Sequence, residues 1–307
     1  MRTKPKTANS ASAFTRASVF CVSFAKNTEL QVTQSKQSTV AILGVGSMGS
    51  AIGRALKQGG ARVLTSLEGR SAASAARARE AGMEDASLDN LVACDFILSI
   101  VPPSAAVDTA QRLAPLLERA SVPTLYIDCN AINPDTVRQI ERALEPAGTP
   151  FVDASIIGQP SSPKFYMSGP HAPRTQPLAD HGLVVRILDG PVGAASALKM
   201  SYAGITKGLT ALGSAMALAA MRNGAGDALI SELAASQPAL LDWLAASVPR
   251  MPPKAYRWVA EMDEIAQFIG DEYAEHRIYE GAAGLYARLA EDKEATDALE
   301  RFFDQPR

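Results

Sequence analysis

The chain has 307 residues, 47% of them hydrophobic and 20% charged, with 22 Gly and 19 Pro; this is ordinary globular composition, long enough for roughly two domains, and it excludes a disordered, collagen-like or small disulfide-stapled protein. A chain of this length buries about three quarters of its unfolded surface, and Cys21, Cys94, Cys129, His171, His181 and His276 show no metal-site spacing, so no structural zinc is expected. The formal charge of −2 is uneven: six basic side chains against Glu29 give residues 1–38 a net +5 and leave −7 for 39–307, a mildly acidic body that argues against a nucleic-acid groove.

Residues 1–38, rich in Ser, Thr, Lys and Arg, read either as a disordered extension or as a mitochondrial presequence. The expected compartment is the cytoplasm, with the mitochondrial matrix as the second option. From Thr39 onward, short apolar runs of strand length alternate with helical stretches. Val40–Leu43, Arg62–Leu67, Phe96–Val101, Thr124–Asp128 and Phe151–Ala154 read as buried strands. Ala-rich segments at 50–58, 71–81, 104–119 and 134–145 lie between them. This βαβα order predicts a doubly wound parallel sheet with helices on both faces. Two last strands are expected at Lys164–Ser168 and Val184–Leu188. The remainder reads helical. Segment 192–222 is apolar on nearly every side, its only charges being Lys199, Lys207 and Arg222, which predicts a buried central helix. Its longest apolar run, Leu209–Met221, is too short to cross a membrane, so no membrane association is expected. Helices near 227–235, 238–247, 253–269, 273–289 and 292–303 complete the chain. The expected domains are 1–38 as an extension, 39–190 as a dinucleotide-binding Rossmann domain and 191–307 as a helical domain.

Gly44, Val45, Gly46, Ser47, Met48 and Gly49 follow the first strand directly and open the first helix. In that context G-x-G-x-x-G is a phosphate loop: Gly44 for the turn, Gly46 for close approach of a pyrophosphate, Gly49 for helix packing, with free N–H groups at the helix start. The second strand is followed by Glu68, Gly69, Arg70 and Ser71. Glu68 suits the ribose hydroxyls of NAD, whereas the Arg70 guanidinium and the Ser71 hydroxyl suit the extra phosphate of NADP. NADP is the expected cofactor and NAD the alternative, although Ser71 is equally an ordinary helix cap. Val101 and Pro102, ending the fourth strand, are expected beside the nicotinamide ribose.

Lys199, Tyr202, Ala203 and Thr206 share one helix face at i, i+3, i+4 and i+7. An ammonium held in apolar surroundings loses its preference for the charged form and suits proton transfer. The plainer reading is a lysine that snorkels outward or pairs with a carboxylate. Asn130, after the fifth strand, is a candidate to orient a substrate hydroxyl and Lys199, or is simply a cap for the helix starting at Pro134. Tyr202 is a candidate extra hydrogen-bond donor or acid, or a core residue.

These residues resemble the β-hydroxyacid dehydrogenases, the family of the 3-hydroxyisobutyrate and 6-phosphogluconate dehydrogenases, from about Thr39 to Gly208. The run VAILGVGSMGSAIGRAL is similar to the family's first strand and glycine loop, GRS at 69–71 to the N-R-T/S of NADP-preferring members, and DASIIG at 153–158 to the D-A-P-V-S-G loop. KMSYAGITKG at 199–208 resembles the K-M-V-H-N-G-I-E-Y-G helix. RWVAEMDEI at 257–265 is similar to an uncharacterised helical domain found fused to this Rossmann type. The resemblance implies that Lys199 is the catalytic acid/base, that the substrate is a small hydroxyl-bearing molecule such as a hydroxy acid, and that the chain forms a homodimer. It departs at Tyr202, at Ala203, at Thr206 where a glutamic acid is usual, and at Ile157 where a serine is usual. Thr206 cannot protonate carbon, so 6-phosphogluconate itself is not the expected substrate. Two alternatives follow from the same departures: an imine or enamine reductase, and an inactive NADP-binding sensor.

Overall fold

The computed structural model describes residues 37–304, all within one compact unit. The expectations for residues 1–36 lie outside the described residues. The first half alternates strand and helix: β1 (Thr39–Leu43), α1 (Ser47–Gln58), β2 (Arg62–Thr65), α2 (Ala72–Glu80), β3 (Glu84–Asp85), α3 (Leu88–Leu91), β4 (Phe96–Ser99), α4 (Ala106–Glu118), β5 (Leu125–Asp128), α5 (Pro134–Leu144) and β6 (Phe151–Ile157). It continues through β7 (Lys164–Ser168), α6 (Pro177–Asp180) and β8 (Val184–Ile187). The eight strands form one sheet in the order β3-β2-β1-β4-β5-β6-β7-β8. Strands β1, β4 and β5 are buried on both faces, as near-continuous runs such as VAIL and FILS require in a parallel sheet. One apolar core lies under α1 and a second under α4 and α5.

The sheet is not wholly parallel. β7 pairs with β6 antiparallel, Asp153 opposite Ser168 and Ile157 opposite Lys164, and β8 then runs parallel to β7. The reason is connection length. Only residues 158–163 separate β6 from β7, whereas a parallel crossover needs a dozen or more residues. The elements β3, α3 and α6 carry no sequence signal because they span two to four residues each.

The second half is helical: α7 (Ala194–Arg222), α8 (Gly226–Ser236), α9 (Pro238–Ser247), α10 (Ala255–Ile269), α11 (His276–Glu291) and α12 (Lys293–Phe303). Their shared core includes Leu244, Met262, Tyr286 and Phe302. Trp243 and Trp258 pack against it, Trp258 edge-on to Tyr286 with ring centroids 5.2 Å apart. The central helix departs from expectation in one respect: α7 is not buried all round. It packs by its small face. A Cβ at Gly213 would lie 2.4 Å from Leu244, and one at Gly204 3.0 Å from the Tyr279 hydroxyl. The large residues Tyr202, Ile205, Leu212 and Met216 stay exposed on the other side. None of the described helices is long and apolar enough to cross a membrane.

Candidate active site

The chain reverses strand order between β1 and β4, and at such a switch point the C-terminal ends of the strands open a crevice. Here that crevice is a cleft of ≈ 460 Å³ lined by Gly44, Glu68, Arg70, Val101, Pro102 and Arg112, among others. The glycine loop is shaped by contact. Gly44 has φ of +93°, and a Cβ there would lie 2.3 Å from the Ile100 carbonyl oxygen. A Cβ at Gly49 would lie 2.1 Å from the Gly44 carbonyl oxygen, so the first turn of α1 sits directly on the loop. At Gly46, by contrast, nothing lies within 4 Å. Gly46 and Ser47 are exposed, and no side chain caps α1. An open, uncapped helix start beside a backbone that tolerates no side chain fits a dinucleotide pyrophosphate.

The remaining expected cofactor residues divide. Met48 packs against the core beneath the sheet rather than facing the cleft. Arg70 and Glu68 both line the cleft. Ser71 does not; it is the N-cap of α2, its hydroxyl accepting from Ser74 N at 3.2 Å. Arg77, which no motif flags, donates from Nε to the Val45 carbonyl at 2.9 Å and from Nη2 to Ser74 Oγ at 3.0 Å. It braces the phosphate loop from α2.

Asn130 turns inward. It is 2% exposed, its Oδ1 accepts from Val101 N at 2.8 Å, and its Nδ2 donates to Asp128 Oδ2 at 2.7 Å and to Ser99 Oγ at 3.1 Å. With both amide N–H groups engaged, no donor remains for a substrate hydroxyl. Its role is to tie the Val101 edge of the cleft to the buried carboxyl of Asp128. The cap of α5 is its neighbour Asn133, whose side chain accepts from Thr136 N.

Helix α7 has no cap of its own, since Gly193 precedes it at φ +100°. The buried Asp153 of β6 supplies one from forty residues earlier in the chain. Its Oδ2 accepts from Gly193 N, Ser196 N and Ser168 Oγ, each at 3.0 Å, and its Oδ1 accepts from Ser196 Oγ at 2.7 Å. A carboxylate at a helix N-terminus is favourable for both hydrogen bonding and the helix dipole. This fixes the first turn of α7 against the sheet.

Lys199 lies on the next turn. It is half-buried as a residue, and its ammonium has no hydrogen bond or ion pair among the described residues. Loss of water lowers its pKa from the usual lysine value, opposed by Cys129 and Asp128 at the end of β5. Asp128 is fully buried, and desolvation drives its carboxyl up to about 7 against the two hydrogen bonds from Asn130. Two turns beyond Lys199, Lys207 contacts the Glu261 carboxylate and stands 5.3 Å over the Trp258 ring. Burial, with the charges of Lys199, Arg257 and Lys254, pulls Lys207 down to about 7.

Tyr202 is not brought to the Lys199 ammonium. It is 53% exposed and lines a separate open groove with Ile157, Gly158, Lys164 and Tyr166. Thr206 turns back on its own helix, donating to the Tyr202 carbonyl at 2.9 Å. Among the described residues no group of three or more His, Cys, Asp or Glu stands together to hold a metal ion.

Comparison with known proteins accords with this geometry. Residues 39–163 match the NAD binding domain of 6-phosphogluconate dehydrogenase, and residues 220–289 match a domain of unknown function, DUF1932. The conserved protein MTH1747 of unknown function, itself structurally similar to 3-hydroxyacid dehydrogenases, is 28% identical with a TM-score of 0.70, covering 85% of this chain and 99% of its own. A 3-hydroxyisobutyrate dehydrogenase of Mycobacterium tuberculosis, solved with L-serine, is 19% identical with a TM-score of 0.65, over 87% of this chain and 99% of its own. An imine reductase variant of Myxococcus stipitatus, solved with NAD+, is 20% identical with a TM-score of 0.56, over 87% and 99%. The last two likenesses speak for the fold alone.

Proposed function

We propose that this chain, a member of the β-hydroxyacid dehydrogenase family built from the NAD binding domain of 6-phosphogluconate dehydrogenase and a helical domain of unknown function, transfers a hydride between NADP(H) and a hydroxyl-bearing carbon of a small substrate, with Lys199 as the acid/base. The observation that carries this reading is the Lys199 ammonium. It is desolvated and unpaired, and it sits on a helix whose start is clamped to the sheet by Asp153. A structural lysine of this kind would snorkel to water or take a carboxylate; Lys207 on the same helix does the latter.

Bound at the Gly46–Gly49 turn, the dinucleotide supplies the redox chemistry. The chain's own residues do the rest. The exposed amides of α1 receive the pyrophosphate. Arg70, on the same cleft as Arg112, supports NADP over NAD, and Glu68 beside it keeps NAD as the competing cofactor. Val101 and Asn130 hold the edge next to Asp128. Lys199, poised by burial, takes the proton of the substrate hydroxyl or returns it. The back-bonded Thr206 leaves the Lys199 face of α7 without the second acid of the sugar-acid enzymes, which supports a small, less polar substrate.

The test is a panel of small hydroxy acids, alcohols and cyclic imines assayed with both nicotinamide cofactors. The expected result is turnover on a hydroxyl–carbonyl pair, preferring NADP, that falls about 10²- to 10⁴-fold in Lys199→Met while NADPH binding persists. Turnover confined to cyclic imines would move the assignment to imine reduction. Cofactor binding without turnover across the panel would make the chain a sensor.

A further inference from the structure

Where α7 runs along β6, two side-chain polar groups have no hydrogen-bond partner among the described residues. One is the ammonium of the half-buried Lys199. The other is the hydroxyl of Ser155, which is 0% exposed and makes no hydrogen bond. Their proximity follows from the way α7 runs along β6. Ser196 bonds Asp153 at one point, and Leu198 and Tyr202 border Ile157 and Gly158 further along. Residues 153, 155 and 157 point to one face of the strand, so Ser155 lies between these two contacts, level with the turn that carries Lys199.

Buried donors and acceptors in folded proteins are nearly always paired, and an orphan costs its full desolvation. A hydroxyl buried with no partner, level with the turn that carries an ammonium with no acceptor, is an unfinished arrangement that a hydrogen bond between the two would complete. We infer that Ser155 is a positioning residue for Lys199, its hydroxyl accepting a hydrogen bond from the ammonium when the lysine is charged and donating one to the amine when it is neutral. Ser155 thereby directs the lysine toward the sheet edge, where Asn130 ties Val101 to Asp128. The other ionisable groups that act on Lys199 are Asp128 at the end of β5, Cys129 just after it and Lys207 of α7, with Asp153 of β6 acting on Asp128. None of them offers a neutral hydroxyl. The inference rests on Lys199 being the proton-transfer group, but its test needs no turnover.

The experiment is an NMR titration of the full chain labelled with ¹³C and ¹⁵N in lysine, the Lys199 signal being assigned by its loss in Lys199→Met. Removing a charge-assisted hydrogen bond disfavours the charged form, so Ser155→Ala lowers the Lys199 midpoint by about one pH unit. Ser155→Cys, close in volume and a weak acceptor, shifts it in the same direction. Ser155→Thr, which keeps the hydroxyl, returns it toward the wild-type value. An unchanged or raised midpoint in Ser155→Ala or Ser155→Cys, with the amide spectrum otherwise retained, overturns the assignment. Failure of the substrate panel with these shifts present would instead count against the proposed reaction.

Discussion

Burial drives the Asp128 carboxyl up to about 7, and the hydrogen bonds from Asn130 and the charge of Lys199 only partly oppose it. In the unfolded chain the same carboxyl titrates near its ordinary value of 3.8. Folding therefore takes up a proton between these limits. The stability this confers is complete below about pH 4 and is lost as pH rises through about 7. Unfolding titrations in urea from pH 4 to 8 should show wild-type stability falling relative to Asp128→Asn, with a slope of up to about 1.4 kcal/mol per pH unit. Parallel pH profiles for the two proteins would contradict the assignment. At this scale the sequence was partly legible. Lys199 stands out because a charge interrupts an apolar helix. Asn130 stands out by type and place, yet its engagement with Val101 and Asp128 was hidden, since that depends on how two strand ends meet. Ser155 and Arg77 carried no signal, because a buried hydroxyl and a helix arginine look ordinary until their partners are known.

Helix α7 positions the chemistry, and its start is held from outside. Asp153→Ala removes three hydrogen bonds at the helix N-terminus and a fourth to Ser168 of β7, a loss of about 2–4 kcal/mol measured by chemical denaturation. The same change should reduce turnover although Asp153 does not face the substrate. Asp153→Asn keeps one acceptor and should lose less. A cost for Asp153→Ala below about 0.5 kcal/mol would show that packing alone places the helix. This cap had no local signature in the sequence, because its acceptor comes from a distant strand. The helices themselves were legible, α9 and α12 nearly to the residue, because apolar periodicity and Pro or Gly punctuation mark them. The antiparallel β7 was missed as a direction, although the six residues before it are too few for a crossover.

Sheet and helical half are joined by more than the α7 cap. Asn133 donates to Glu264 of α10 at 3.2 Å, while Lys207 and Tyr286 tie α7 to α10 and α11, the Tyr286 hydroxyl donating to the Lys207 carbonyl. Ile205, Leu212 and Met216 are exposed on an otherwise apolar helix. The glycine loop lines the cleft at the switch point, and Lys199 lies near Asp128 and Cys129 at the end of β5. Pocket side chains from the helical half were not legible, since pattern does not say which face of α10 or α11 looks inward.

The central claim is that Lys199 faces the reactive end of a cofactor held by the glycine turn. A crystal structure of the NADPH complex tests it directly. The account predicts the pyrophosphate on the amides following Gly46, the 2′-phosphate at Arg70, and the nicotinamide beside Val101 with its reactive face toward the Lys199 ammonium, leaving room for a small substrate between them. A nicotinamide turned away from α7, with Lys199 directed into bulk water, would contradict it.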